Sequence, residues 1–165
     1  DKLSINIAGL GFDAEVAHLY AGNKKRGFWP YAVSCMKVFF RFKPIDINFI
    51  DENGKEKKEL VFLMCLANTR QFGYQALIAP NARPDDGFIE VLIVKPFPKL
   101  LVIPFVIRMF RGTLNNSRYT QYFKAKKLTI TSPGKLKFHI DGDPATFTAP
   151  LSIQVENQTL RILKN

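Results

Sequence analysis

The sequence predicts a mainly β domain of the α+β class, a two-layer antiparallel β-sandwich carrying a few helices. Three observations predict it. Two apolar runs, Leu60 to Ala67 without a break and Phe88 to Val94 interrupted only by Glu90, have the composition of strands covered on both faces. The C-terminal third alternates apolar residues with Lys, Thr, Ser and Gln, the pattern of half-exposed antiparallel strands. Only three segments carry helical spacing. A chain of 165 residues is most simply a single domain spanning 1–165, and it is long enough to bury a core.

Taken in order, Leu3, Ile5 and Ile7 alternate with polar neighbours and predict a first strand, out of which Ala8-Gly9-Leu10-Gly11-Phe12-Asp13-Ala14 turns. Val16, Leu19 and Tyr20 fit a short helix from about Asp13 to Tyr20, stopped near Gly22-Asn23. Trp29 to Phe42 fits a second helix, with Pro30 in its first turn and Pro44 closing it. Ile45, Ile47 and Phe49 then alternate with Asp46 and Asn48 as a strand. Asp51-Glu52-Asn53-Gly54 is a hairpin turn, since Asn-Gly readily takes positive φ at both central positions. After the two apolar runs, Leu100 to Phe110 fits a third helix in spite of Pro104. Strands are predicted at Tyr122 to Thr131, Leu136 to Ile140, Leu151 to Val155 and Leu160 to Leu163. Ser132-Pro133-Gly134-Lys135 joins the first two as a hairpin turn.

Charge is distributed unevenly. Between Glu90 and Asp141 there is no Asp or Glu, whereas ten Lys and Arg run from Lys95 to Lys137. The chain has 24 Lys+Arg and 14 Asp+Glu, so the formal +10 lies in this stretch and the rest balances. A solvated sheet face normally mixes signs. An unbroken cationic run points to an anionic partner, the phosphate of a lipid headgroup or of nucleic acid. The apolar segment Phe97 to Phe110, ending in Arg108 and Arg111, suits a membrane interface; a core helix packed on the sheet is the alternative.

Cys35 and Cys65 form no CxxC pair and no zinc spacing, and read as reduced buried thiols of a cytoplasmic protein. The longest apolar run, Leu100 to Ile107, is too short for a bilayer, which takes about 20 residues. No signal peptide is visible, and the chain opens on Asp1 directly in a strand pattern, as an excised domain would.

Three places hold residues suited to chemistry. Asp85-Asp86-Gly87 can put one carboxylate and two backbone carbonyls around a hard cation, or serve as an ordinary capped turn. Asp141-Gly142-Asp143 can point two carboxylates to one side, to bind Mg²⁺ or to let one act as a base; Asp-Gly is also a common hairpin turn. Ala8-Gly9-Leu10-Gly11 lacks the third glycine of a dinucleotide loop, with Ala14 in its place, so a Rossmann site is excluded and close packing explains the glycines. Asp13 then reads as a helix N-cap. His18 and His139 have no sequence-adjacent partners and read as surface or packing histidines. No Ser or Thr has a nucleophile-elbow setting.

Four motifs in order carry a resemblance: Ala8-Gly9-Leu10-Gly11-Phe12-Asp13-Ala14-Glu15-Val16; Asn68 with Gly73; Ala79-Pro80-Asn81-Ala82 with Asp85-Asp86-Gly87; and Ile140-Asp141-Gly142-Asp143. Together they resemble the C-terminal domain of the bacterial diacylglycerol kinase-like lipid kinases, a group that includes sphingosine and ceramide kinases and is related to NAD kinase. The resemblance spans nearly the whole chain. It implies a two-domain enzyme whose N-terminal domain carries a Gly-Gly-Asp-Gly-Thr nucleotide loop, absent from this sequence. The chain then looks like the C-terminal half, inactive by itself, with the β-sandwich fold of the NAD kinase and diacylglycerol kinase C-terminal domains.

Residue by residue, the resemblance implies that Asp141 is the catalytic aspartate, with Asp143 standing where the family usually has Glu. Asp86 matches a Mg²⁺ ligand, beside the backbone oxygens of Arg83 and Phe88. Asp13, with Gly11, matches the lipid-contacting position. Tyr74 departs from the Gly-Gly pair usual after Asn68 and makes that loop bulkier. The implied reaction is attack of a lipid hydroxyl on the γ-phosphate of ATP, with Mg²⁺ offsetting phosphate charge. The implied partners are a diacylglycerol-like lipid, an anionic membrane surface to which the protein is peripheral, and the nucleotide-binding domain; homodimerisation is left open. Two rivals stand beside it. One is a non-enzymatic β-domain binding nucleic acid through Tyr119, Tyr122 and Phe123 beside Lys124 and Lys126, a less favoured partner. The other is a structural module that keeps only the fold. The kinase reading expects the Asp141 carboxylate to project into an open hollow, near Asp13, where the other half docks.

Overall fold

The computed structural model describes residues 2–156. In chain order these form β1 (Ile7–Gly11), α1 (Phe12–Ala21), α2 (Phe28–Arg41), β2 (Ile45–Ile50), β3 (Glu56–Val61), β4 (Leu63–Ala67) and β5 (Ile89–Val94). A 3₁₀ turn (Lys99–Leu101) leads into α3 (Val102–Phe110), followed by β6 (Thr120–Ala125), β7 (Lys127–Ile130), β8 (Lys135–Ile140), β9 (Asp143–Thr148) and β10 (Leu151–Gln154). One sheet has the order β6-β5-β4-β1-β8-β9 and the other β10-β7-β2-β3, with every pairing antiparallel.

The sheets stack face to face. Ala8, Leu10, Met64, Leu66, Val91, Ile93 and Phe138 from the larger sheet meet Ile47, Phe49, Val61, Leu128 and Ile130 from the smaller. The outer face of the larger sheet is covered as well. Ile7, Leu63, Cys65, Leu92 and Val94 pack beneath Phe39 of α2 and Val102, Phe105 and Met109 of α3. The predicted sandwich therefore carries its helices as a third layer on one side. That layer explains why β4 and β5 are almost wholly buried while β10 alternates.

Two predicted strands are each two strands. The run Leu60 to Ala67 changes sheet at Phe62, whose N–H donates to the Val94 carbonyl at 2.7 Å. Tyr122 to Thr131 changes sheet at Lys126, whose N–H donates to Glu52 Oε2 at 2.9 Å. Each crossing takes a single residue, Phe62 or Lys126, with no Gly or Pro to mark it, so the break leaves no sign in the pattern. Ser132 to Lys135 consequently links two sheets and makes no hairpin; the buried Ser132 hydroxyl accepts the Asn48 N–H at 2.7 Å. In the β2–β3 loop only Gly54 has positive φ, 75°, and the Asp51 carboxylate accepts the N–H groups of Asn53 and Lys55. That loop is a capped longer turn, not the two-residue Asn-Gly turn. Strand β1 begins at Ile7, so the glycine segment expected as a turn is the strand, and Leu3 and Ile5 lie exposed before it. β9 was absent from the sequence prediction, because Asp143 and Pro144 open an edge strand with polar alternation. The predicted strand Leu160 to Leu163 lies outside the described residues.

Candidate functional site

Asp141 and Gly142 form the two-residue turn between β8 and β9, with φ of 52° and 92°, and Ile140 pairs directly with Asp143. Positive φ at both central positions is the hairpin geometry matching strand twist. The turn aims the Asp141 carboxylate back along the chain to the segment before β1. Oδ1 accepts from the Ser4 hydroxyl at 2.6 Å and from the N–H groups of Asn6 and Ile7 at 3.0 and 3.1 Å; Oδ2 accepts from the Ile5 N–H at 2.9 Å. Partial burial pushes this carboxyl up, but the four donors outweigh it and hold it below the ordinary carboxylate value. Asn68 grips the same segment, its side-chain amide donating to the Ile5 carbonyl at 3.0 Å and its N–H to the Asn6 carbonyl at 2.9 Å. Asp141 therefore does not project freely into a hollow as expected. It is tied into a cap over residues 4–7, with one lone-pair direction left on Oδ2. The Asp143 carboxylate, two residues on at the start of β9, is exposed and has no hydrogen-bond or ion-pair partner among the described residues.

Asp13 is buried in the first turn of α1. It is not the N-cap; Gly11 is, and Asp13 Oδ1 accepts only the adjacent Ala14 N–H at 2.9 Å. Its Oδ2 meets His139 Nε2 at 3.1 Å and the Cys65 thiol at 3.3 Å. His139 Nδ1 in turn receives the Gly142 N–H at 3.4 Å, so the network puts the ring proton on Nε2, donated to Asp13. His139 thus links Asp13 to the Asp141–Gly142 turn. The sequence left it as a surface or packing histidine with no partner, because His139 is out of phase with the apolar Leu136, Phe138 and Ile140. Here α1 covers that face. His18, by contrast, ties α1 to β9 through Nε2 and the Ala145 carbonyl at 2.9 Å. Gly9 makes room for the pair: a Cβ there would stand 2.5 Å from Asp13 Oδ2 and 2.9 Å from the Met64 carbonyl. Gly11, with φ of 97°, is buried against Phe62 and Leu63, where a Cβ would lie 2.7 Å from a backbone oxygen. Burial pushes the Cys65 thiol far up, which leaves it an inert member of the cluster.

Asp86 sits elsewhere, at the start of β5. Its Oδ2 lies 2.6 Å from Lys124 Nζ and its Oδ1 accepts the Phe88 N–H at 3.0 Å. The lysine, against opposing desolvation, holds this carboxyl below its ordinary value. Arg83 turns to Asp85 instead. An ammonium group already balances Asp86, and no group of three or more His, Cys, Asp or Glu suited to a metal occurs among the described residues. The Asp86 carboxylate is thus held by an ammonium group at the place where the resemblance implied a Mg²⁺ ion. Tyr74 and Gln75 both take positive φ, the conformation glycine adopts without strain, and the Tyr74 ring lies edge-on to Phe28 at 5.2 Å.

The cationic stretch is not one surface. Lys95, Lys124 and Lys137 pair with Glu59, Asp86 and Glu15, all acids from outside the stretch. The cations around α3 have no such partners among the described residues. A hollow of about 340 Å³ beside α3 is lined by Phe97, Phe105, Arg108, Arg118 and Tyr119; a second, of about 180 Å³, lies by the β2–β3 loop. Neither involves Asp13 or Asp141. Cys35 and Cys65 are free thiols, Cys35 only half-buried and raised to about 11 by burial. No helix among the described residues is long and apolar enough to cross a membrane.

Comparison with known proteins bears on this geometry. Residues 6–164 match the family described as the YegS C-terminal NAD kinase beta sandwich-like domain. The chain is 28% identical over 142 residues to a Shewanella frigidimarina protein named "Probable lipid kinase YegS-like", covering 85% of this chain and 45% of that protein. It is 24% identical over 154 residues to a protein named diacylglycerol kinase of Mycobacterium tuberculosis, covering 90% and 47%. It spans about half the length of these relatives. Its fold is similar to that of a diacylglycerol kinase from Bacillus anthracis, with a TM-score of 0.58 at 13% identity over 93% of this chain and 47% of that one.

Proposed function

The chain belongs to the YegS C-terminal NAD kinase beta sandwich-like family, and from that premise we propose that it is the C-terminal half of an ATP-dependent lipid kinase acting on a diacylglycerol-like hydroxyl at a membrane surface. The observation that carries the proposal is the family match over residues 6–164, shared with relatives named lipid kinase; the capped Asp141 departs from the open carboxylate this reading expected, and the reading keeps it through its one free lone pair. Asp141 and Asn68, two of the motif residues, both grip residues 4–7. In a two-domain enzyme that segment leads in from the nucleotide-binding half, so the catalytic carboxylate stands where the halves meet.

A carboxylate held ionised by four donors is a weak base. Phosphoryl transfer asks little of a base, since bond breaking to the leaving group runs ahead of proton removal in a loose transition state. What the reaction needs is a fixed negative oxygen that orients the hydroxyl, and the open lone pair of Asp141 Oδ2 supplies it. His139 positions this turn through Gly142 and holds Asp13 at the other end of the same network. Asp13 is buried, so contact with a lipid headgroup requires α1 to part from β8. Asp143 is the free carboxylate beside the turn and takes the second polar contact. ATP and Mg²⁺ are the co-substrate and ion this reading implies. The Asp86 turn, neutralised by Lys124, is not assigned as an ion site.

The test is phosphate transfer from ATP to diacylglycerol by the full-length protein. Asp141→Asn is expected to lower transfer about 100-fold or more with the fold intact, as loss of a positioning charge does. Activity within twofold of the parent overturns the assignment. Lys124→Met with added Mg²⁺ asks separately whether Asp86 takes up an ion once its ammonium partner is gone.

A further inference from the structure

α2 and α3 bury one face each against the larger sheet and leave the other bare. On α2 the bare face is Trp29, Val33, Met36 and Phe40, spaced 4, 3 and 4 residues apart and so on one side of the helix. On the 3₁₀ turn and α3 it is Leu100, Ile103, Ile107 and Phe110. Trp29 is 76% exposed, Phe40 62%, Leu100 91% and Ile103 67%. The two faces adjoin. Lys99 Nζ donates to the Phe40 carbonyl at 3.1 Å, and Phe39 and Phe97 are neighbours beneath. Because both helices lie on the same sheet face, their bare sides point the same way.

The charge around this ridge is of one sign. No Asp or Glu occurs from residue 16 to 45 or from 91 to 140, the two stretches that contain the helices. Lys24, Lys25, Arg26, Lys37 and Arg41 flank α2, and Lys99, Arg108, Arg111 and Arg118 flank α3. None of them pairs with a carboxylate among the described residues. The hollow beside α3 opens among Arg108, Arg118 and the ring of Tyr119. An apolar ridge within unpaired cations is the composition of a segment that lies in a lipid interface. A second copy fits poorly, since it would set this cationic rim against itself.

We infer that the outer faces of α2 and α3 form one docking surface for an anionic phospholipid bilayer, with Trp29, Phe40, Leu100 and Ile103 entering the headgroup–acyl boundary and the surrounding cations resting on lipid phosphates. The inference rests on the lipid-kinase reading only in taking a membrane as the partner. It commits the protein to one orientation, with the helical layer down and the β8–β9 turn held by α1 at the edge of that layer.

The experiment uses the full-length protein and vesicles of phosphatidylcholine with or without phosphatidylserine. Binding is expected to need phosphatidylserine and to fall with salt. Trp29→Ala with Leu100→Ala, and separately Lys25→Glu with Arg26→Glu, are each expected to weaken binding about tenfold or more. Lys127→Glu with Lys135→Glu, exposed on the sandwich, is expected to change it less than twofold. Brominated lipid is expected to quench tryptophan fluorescence in the parent and markedly less in Trp29→Phe. Absent binding, equal loss from the sandwich variants, quenching unchanged in Trp29→Phe, or dimerisation through this face without vesicle binding each overturns the inference. Transfer to short-chain diacylglycerol in detergent micelles scores the kinase reading independently. A protein that docks without transferring phosphate keeps this inference and loses that one.

Discussion

The sandwich and the helical layer share one six-stranded sheet and are built on different terms. Between the sheets, Phe49, Ile47, Met64 and Ile93 are wholly buried, and some of the lysines on or beside the strands find acids: Lys57 with Asp51, Lys95 with Glu59, Lys124 with Asp86, whereas Lys58, Lys127 and Lys135 do not among the described residues. In the helical layer only the inner face is buried, large apolar side chains stand in water, and the cations are unpaired. A side chain inside the sandwich is there because burial stabilises the fold. One on the outer helical face adds nothing to the fold, so its presence needs another cause, and a surface that covers it is the natural one.

Substitutions can break that comparison. Phe49→Ala opens a cavity between the sheets and is expected to cost about 3–5 kcal/mol in denaturant unfolding; a cost below about 1 kcal/mol would mean that the inner faces are loosely packed. Asp141→Ala strips a shared acceptor from four donors and is expected to cost on the order of 2 kcal/mol. It also carries a pH signature. The folded carboxyl lies below its ordinary value of 3.8, so the unfolded chain protonates first. The advantage of the parent over Asp141→Asn is therefore complete above that value, shrinks as pH falls toward the folded pKa and vanishes below it. An advantage that grows on acidification would contradict the cap.

Gly9→Ala forces a methyl between Asp13 and the Met64 carbonyl and is expected to cost about 1–3 kcal/mol. His139→Ala in the same background is expected to recover part of that loss by making room, a coupling that denaturation of the double variant reads directly. At the small end, Trp29→Ser is expected to leave stability within about 0.5 kcal/mol, as surface changes do. A loss several times larger would show that the outer helical face belongs to the core after all.

Much of this is legible in the sequence. Leu60 to Ala67 and, but for Glu90, Phe88 to Val94 announced covered strands because so dense an apolar run is unfavourable in water. The helix endings at Gly22 and Pro44 were visible because those residues act locally. The change of sheet at Phe62 and at Lys126 was not visible, since each takes one residue and carries no Gly, Pro or other turn signal. β9 stayed hidden because an edge strand needs no apolar pattern. Asp141 was found as an acid in a turn, but its four donors come from residues 4–7, more than 130 positions away. His139 was left as either a surface or a packing histidine because its strand parity faces outward, and the placement of α1 is what buries it. The bare stripe on α2 could have been read: Trp29, Val33, Met36 and Phe40 alternate on one side of a helix in a stretch with no acid.

The sequence alone determined the class of fold, the positions of most strands and all three helices, the cationic bias, and the turns at Asp86 and Asp141, because propensity, periodicity and turn chemistry act between near neighbours. The tertiary structure decided which face of each helix stays bare, which lysines are paired with a carboxylate, and that Asp13, His139 and the Asp141 turn form one network. Those outcomes depend on which distant strands lie side by side, and no local pattern encodes the direction in which a packed element finally points.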